Sequence, residues 1–254
     1  ETEIPREDSF HEENNVATEH RATLSDYRGS GYDRGHMAPN ADMPNKAAQF
    51  DSFSLANMVP QAPKNNQQVW RELEEATRAL VTKQKLDVFV VTGPVFQGKK
   101  LKTIGQGVIV PSAVYKAVYM PKTGAIGAYY APNDNSQQVR IVSVCYLEEQ
   151  LGVNLFPQLT EEQKRNTYKL PLTATAVKAN SAIQYSHWDA ESQCAEEVSS
   201  EQLKALQKNF KSGSTQSSSG STVTKGTGIG AADQDAIVKQ LVDVLLQYIL
   251  QLLR

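Results

Sequence analysis

The sequence is poor in several features that mark common chemistries. Only two cysteines occur in 254 residues, Cys145 and Cys194. They can pair in an oxidising compartment or stand as buried thiols, and the sequence does not choose between the two. HExxH, CxxC and clustered Asp/Glu motifs are missing, and His11, His20 and His187 show no ligand spacing. A zinc protease or a carboxylate two-metal nuclease is therefore poorly supported. Gly-x-Ser-x-Gly is absent too, which argues against a serine hydrolase built on a nucleophile elbow. No apolar run makes a convincing membrane span, and no secretory signal pattern stands at Glu1. Nor is there an excess of positive charge. Lys and Arg number 26 against 28 Asp and Glu, for a net charge of −2. Any nucleic-acid affinity must come from a local basic patch and fall with salt. Lys99, Lys100 and Lys102 with Arg28 and Arg34 are candidates for such a patch, although lysine runs of this kind are usually solvated loops.

What the chain does have is a short, glycine-hinged block, Gly31-Tyr32-Asp33-Arg34-Gly35-His36-Met37-Ala38-Pro39. A second block, Asn57-Met58-Val59-Pro60-Gln61, follows, and then Asn65-Asn66 and Trp70-Arg71-Glu72-Leu73-Glu74. Phosphodiester hydrolysis needs an activated water, neutralised phosphoryl oxygens and help for the leaving 3′ oxygen. His36 suits the first task, since an unperturbed imidazole has a pKa of about 6.5 and is largely neutral yet basic near pH 7. Gly35 beside it permits a tight turn or a close approach to another strand. Arg34 supplies a permanent charge in a fork that holds two phosphate oxygens; its bland alternative is a surface pair with Asp33.

Helical periodicity begins after Pro63, with Val69, Leu73, Ala76 and Leu80 forming one apolar stripe. Asn65 with Gln68 three residues later fits a helix cap and capping box. Asn66, Trp70 and Glu74 lie on a neighbouring row. Glu74 stands about 12 Å along the axis from Asn66 at about 1.5 Å per residue, too far for both to ligate one small ion. Trp70 is expected in the core. Glu74 paired with Arg71 or Arg78 on a solvated face is the bland alternative.

These blocks, in this order, resemble the DNA/RNA non-specific endonucleases of the ββα-metal class, over roughly residues 6–170. The resemblance implies an α+β fold, a central antiparallel sheet with flanking helices and a ββα-metal motif. It implies a magnesium-dependent endonuclease, with manganese as a substitute, that cuts DNA and RNA to 5′-phosphate products. His36 becomes the general base and Asn66 the metal ligand. Magnesium, a hard cation that keeps most of its waters, suits one amide oxygen. Arg34, with Arg6 from Pro5-Arg6-Glu7-Asp8, neutralises phosphate, and Glu74 orients water around the ion. Asn57 and Gln61 flank a strand expected over Ser54–Val59, paired with the histidine strand. They either orient His36, tie the loop to the helix, or touch substrate. Glu148 falls where the family has a glutamate and is read as structural. The family also favours a secreted or periplasmic protein, with a mitochondrial type as the alternative. Relatives usually carry strand-forming sequence ahead of the Arg6 region, so part of the sheet is expected to be missing here or supplied by another chain. A reading from another class, a catalytically silent nucleic-acid-binding or toxin-partner module, follows if that loss disables the site.

Further along, Val88–Thr92 before Gly93-Pro94 reads as a buried central strand. Gly107–Val110, Ala113–Met120, Ala125–Tyr130 and Val139–Tyr146 read as further strands separated by turns, and Leu147–Leu151 as a short helix stopped by Gly152. The organisation is a nuclease domain over 1–210, a Ser/Thr/Gly linker over 211–230 and an apolar helix over 231–254. Gly226-Thr227-Gly228-Ile229-Gly230 follows no strand and belongs to the linker. The terminal helix is too apolar to stand alone in water and too interrupted by Asp243 to span a membrane. It is expected to dock on another copy, a delivery or neutralising protein, a membrane interface, or its own domain.

Overall fold

The computed structural model describes residues 4–197, 199–202 and 204–205. The chain divides into two compact units, Glu1–Glu197 and Val198–Arg254, and the first holds the sheet, the cleft and the disulfide. The expected linker over 211–230 and the apolar helix over 231–254 lie outside the described residues. No helix of the described residues is long and apolar enough to cross a membrane.

The elements are helices mixed with antiparallel strands, an α+β chain. Helix α1 (Leu24–Tyr27) leads to strand β1 (Asp33–His36), then α2 (Lys46–Ser52) and β2 (Met58–Gln61). A long helix follows, wound as π-helix over Asn65–Trp70 and continuing as α3 (Arg71–Gln84). Strands β3 (Phe89–Val95), β4 (Thr103–Ile104), β5 (Val108–Ile109), β6 (Ala113–Met120), β7 (Ala125–Pro132) and β8 (Arg140–Val142) come next. Helices α4 (Val144–Leu151) and α5 (Glu161–Arg165) and the pair β9 (Asn166–Tyr168) and β10 (Tyr185–Trp188) complete the described part.

The main sheet has four antiparallel strands in the order β3-β6-β7-β8. Alternation along β6 sends Val114, Lys116, Val118 and Met120 to one face and Ala113, Tyr115 and Ala117 to the other, and all are buried. The first face packs on Trp70, Leu73 and Leu80 of the long helix; the second packs on Val144 and Leu147 of α4. The stripe Val69, Leu73, Ala76 and Leu80 is buried as the periodicity predicts, each leucine contributing about 2 kcal/mol.

The Val88–Thr92 run corrects the sequence reading. Strand β3 sits at the sheet edge rather than its centre, and Phe89 and Val90 are each 36% exposed. It also continues through Gly93-Pro94 to Val95, because an edge strand needs no outward amide hydrogen from proline. The Val139–Tyr146 run is likewise cut short. Ser143 accepts from the Tyr146 amide at 2.9 Å and starts α4, which Gly152 ends in the left-handed conformation. The strand expected over Ser54–Val59 lies later, at Met58–Gln61, since Ser54 instead caps a 3-10 turn over Leu55–Asn57.

Asn65 is not a helix cap. It lies fully buried inside the first turns, accepts from Gln61 Nε2 at 2.5 Å and donates to the Pro132 carbonyl at 3.3 Å. The cap is supplied from elsewhere. Asn133 Oδ1 accepts from the Ala62 amide at 2.8 Å, and Asn135 Oδ1 from the Lys64 amide at 3.0 Å. The loop after β7 thus satisfies the helix start and holds it against the sheet.

Candidate active site

Strands β1 and β2 pair antiparallel, with Asp33 opposite Gln61 and His36 opposite Met58, and the chain then enters the long helix. This strand–strand–helix unit borders a polar cleft of about 890 Å³. His36, Arg34, Arg6, Asn66 and Glu74 all line it, so five of the six predicted site residues meet in one place.

His36 closes β1, half-buried, with the Phe53 ring edge-on at 4.8 Å and the Phe10 ring at 5.9 Å. Burial first, then the Arg6 charge, drives its imidazole down to about 4, so the ring is neutral at neutral pH. Its Nε2 is buried without a hydrogen-bond partner among the described residues. The residue before it explains the motif's glycine. A Cβ at Gly35 would lie 2.6 Å from Gln61 Cβ, so the glycine serves close approach between strands and not a turn.

Arg34 is not paired with Asp33. Its guanidinium carbon lies 3.7 Å from the centre of the Phe10 ring. Arg6 pairs with Asp8 at 2.5 Å on the exposed rim and reaches over Phe53 at 5.4 Å. Arg28 and Arg71 also line the cleft, giving it four arginines in a chain with no net positive charge. Lys99, Lys100 and Lys102 do not line it.

Asp33 is the residue that sequence reasoning missed. Its Oδ2 accepts from Asn66 Nδ2 at 2.9 Å and Gln67 Nε2 at 2.8 Å, tying the start of β1 to the start of the helix. The only signal was the aspartate heading the Asp33-Arg34-Gly35-His36 block. Because Asp33 takes the Asn66 amide hydrogen, the Asn66 carbonyl oxygen is left as the donor for a hard cation. Among the described residues no group of three His, Cys, Asp or Glu is gathered to hold a metal. The oriented Asn66 amide oxygen, with no such cluster of protein ligands around it, fits an ion that retains most of its water.

Glu74 lines the cleft half-buried. Neither bland partner claims it, since Arg71 pairs with Glu75 at 3.6 Å and Arg78 with Asp42 at 2.7 Å. Burial, opposed by Lys116, raises its carboxyl to about 7. Trp70 is buried core, as expected.

Asn57 is not brought into the cleft. Its Oδ1 accepts from the Ala38 amide at 3.0 Å, and its Nδ2 donates to the Ala38 and Ser52 carbonyls at 2.9 Å each. That amide ties the loop leaving His36 to the end of α2. Gln61 is also buried away from the cleft, against Gly35 and Asn65. Glu148 is structural: its carboxylate takes Lys164 at 3.0 Å and the Leu155 amide at 2.9 Å in a fully buried pair.

By its architecture the site belongs to a class: an arginine-lined cleft on a strand–strand–helix unit around one half-buried histidine. Residues 1–162 match the DNA/RNA non-specific endonuclease family, and the chain belongs to that family. It is 40% identical over 138 residues to mitochondrial endonuclease G of Bos taurus, covering 49% of this chain and 46% of that protein. Nuclease C1 of Cunninghamella echinulata var. echinulata is 41% identical over 138 residues, 49% of this chain and 54% of that one. A nuclease of Nostoc sp. is 36% identical over 157 residues, 55% and 56% of the two chains. This chain spans about half the length of these curated relatives. A chain in the crystal structure of the EndoG/EndoGI complex superposes with a TM-score of 0.54 at 27% identity, covering 61% of this chain and 71% of that one.

Proposed function

We propose that this chain is a non-specific DNA/RNA endonuclease using His36 as general base and one divalent cation, magnesium or manganese in its place, at Asn66. The observation that carries the reading is the convergence of His36, Asn66, Arg34, Arg6 and Glu74 on one cleft, with the histidine neutral.

His36 takes a proton from a water in line with the scissile bond. The water oxygen bonds to phosphorus as the bond to the 3′ oxygen breaks, and that oxygen takes up a proton from solvent, leaving a 5′ phosphate and a 3′ hydroxyl. Arg34 and Arg6 neutralise the phosphoryl oxygens, held in place by their aromatic neighbours Phe10 and Phe53. Asp33 fixes the Asn66 amide, and Asn57 fixes the loop behind His36. Glu74 orders water at the helix face. Asn66 would hold the divalent cation, which when bound would supply positive charge against the charge that develops during cleavage. Binding through four cleft arginines involves the phosphate backbone and not base edges, which supports tolerance of both sequence and sugar. The disulfide between Cys145 and Cys194 supports residence in an oxidising compartment, as for an exported nuclease. The silent binding-module reading has against it that the base, the cation ligand and the phosphate arginines share one cleft.

The test is plasmid degradation by wild type and His36→Ala, with and without chelator. Wild type with magnesium should cut, and either treatment should abolish cutting. Activity that survives both ends this reading.

A further inference from the structure

Lys116 is an ionisable group inside the core that the proposed chemistry does not use. It stands mid-way along β6, 1% exposed, on the face shared with Val114 and Val118. A buried ammonium costs several kcal/mol unless it is compensated. Among the described residues Glu148 and Lys164 form a fully buried ion pair, and Lys116 forms no ion pair. Its Nζ donates to the hydroxyl of Thr92, its cross-strand neighbour, at 2.9 Å, and lies 5.4 Å from the centre of the Trp70 ring.

That position sets its direction. Trp70 and Glu74 are one helical turn apart on the long helix, so an ammonium beside Trp70 lies under the face that carries Glu74. Burial raises the Glu74 carboxyl to about 7, and Lys116 is the strongest charge opposing that rise. Burial also lowers the ammonium of Lys116, and Glu74 is the strongest charge holding it up. The other charged groups facing the pair are Asp42, from the turn before α2, and Arg78 and Glu75 on α3 itself. Asp42 and Arg78 are bound to each other at 2.7 Å, which leaves Lys116 as the cation with no closer claim on it.

We propose that Lys116 is a positioning residue for the nuclease reaction: from within the sheet its ammonium favours the carboxylate form of the Glu74 side chain at the cleft. This rests on the accessory role given to Glu74 above. A lysine with a purely structural role would be replaceable by an apolar chain of similar length, often with gain of stability. A positioning lysine would not.

The experiment follows the Glu74 carboxyl directly by carbon-13 NMR titration of the full chain, assigned with Glu74→Gln, without metal or nucleic acid. In Lys116→Met the Glu74 midpoint should rise by about one pH unit or more. The low-pH limb of kcat/KM on plasmid DNA should move the same way, so that kcat/KM at pH 7 falls about fivefold or more and is recovered at higher pH. Thr92→Val, which removes only the ammonium's hydrogen bond, should give a smaller shift of the same sign. An unmoved Glu74 midpoint in folded Lys116→Met overturns the proposal. Should that variant not fold, an unmoved midpoint in Thr92→Val does so. The titration needs no turnover, so an inactive wild type would defeat the nuclease reading alone and leave the link between Lys116 and Glu74 separately decided.

Discussion

Asn66 donates its amide hydrogen to Asp33 Oδ2 at 2.9 Å, and Gln67 donates to the same oxygen at 2.8 Å. One carboxylate at the head of β1 therefore fixes which way the Asn66 amide faces at the start of the helix. A partner outside a ligand's own contacts typically sets metal affinity or activity by about 10- to 100-fold. Asp33→Ala should accordingly raise the magnesium concentration for half-maximal cleavage by about tenfold or more. Activity measured against magnesium concentration checks this. A half-saturation point equal to that of wild type would show that Asn66 needs no such orientation.

Gly35 pairs with Val59 across β1 and β2, and the Gln61 side chain, two residues further along β2, lies against it diagonally. A methyl at residue 35 would sit 2.6 Å from Gln61 Cβ, and the Gln61 side chain is 0% exposed. Neither strand can yield without moving His36 or the helix start. Gly35→Ala should cost about 1–3 kcal/mol, the usual penalty for overpacking a filled site. Urea unfolding monitored by tryptophan fluorescence reads the loss directly. A midpoint unchanged from wild type would mean the strands separate freely at that point.

Much of this was legible in the order of residues, and the misses share a cause. The apolar stripe from Val69 to Leu80 and the alternation along Ala113–Met120 follow local periods, and both emerged as read. His36, Arg34, Asn66 and Glu74 were singled out because their sequence blocks resemble those of the family, and the structure brings all four to one cleft. What the sequence hid depends on residues far away in the chain. Asn65 looked like a cap, but Asn133 and Asn135 from the loop after β7 do that work. Val88–Thr92 looked central because it is apolar, yet strand order is set by pairing with Ala113–Met120, which leaves it on the edge. Lys116 gave no signal at all, since one lysine in a strand is ordinarily a surface residue.

His36 gives a sign-definite pH test. In the fold its imidazole titrates at about 4, below its ordinary 6.5, chiefly because burial disfavours the cation and Arg6 repels it. Below pH 6.5 the unfolded chain takes up a proton there that the folded chain refuses until about 4. Stability from this group is therefore complete above 6.5 and declines as pH falls toward 4. Thermal unfolding of wild type and His36→Gln across pH 4–7 should show the variant's melting temperature varying less with pH in that window. Parallel curves would mean that the imidazole is not desolvated.

The disulfide makes the last case, because it separates holding the fold from forming the site. Cys145, at the start of α4, is bonded to Cys194 across 49 residues of sequence. The segment it anchors is also held by Asn154 Nδ2 donating to the Glu196 carbonyl at 2.9 Å and by Glu197 accepting from the Glu161 amide at 2.8 Å. Closing a loop of this size restricts the unfolded chain and contributes about 2–4 kcal/mol. The cleft residues from Arg6 to Glu74 all precede that loop, so none of them should move when the bond opens. Guanidinium unfolding with and without a reducing agent should show a lower midpoint for the reduced chain. Its nuclease activity at 25 °C, measured well below that midpoint, should stay within about twofold, since about 0.4 kcal/mol is all that such a change represents. Loss of activity in a reduced chain that is still folded would instead make the bond part of the working site. Equal midpoints would mean that the two hydrogen bonds and the surrounding packing hold the segment without it.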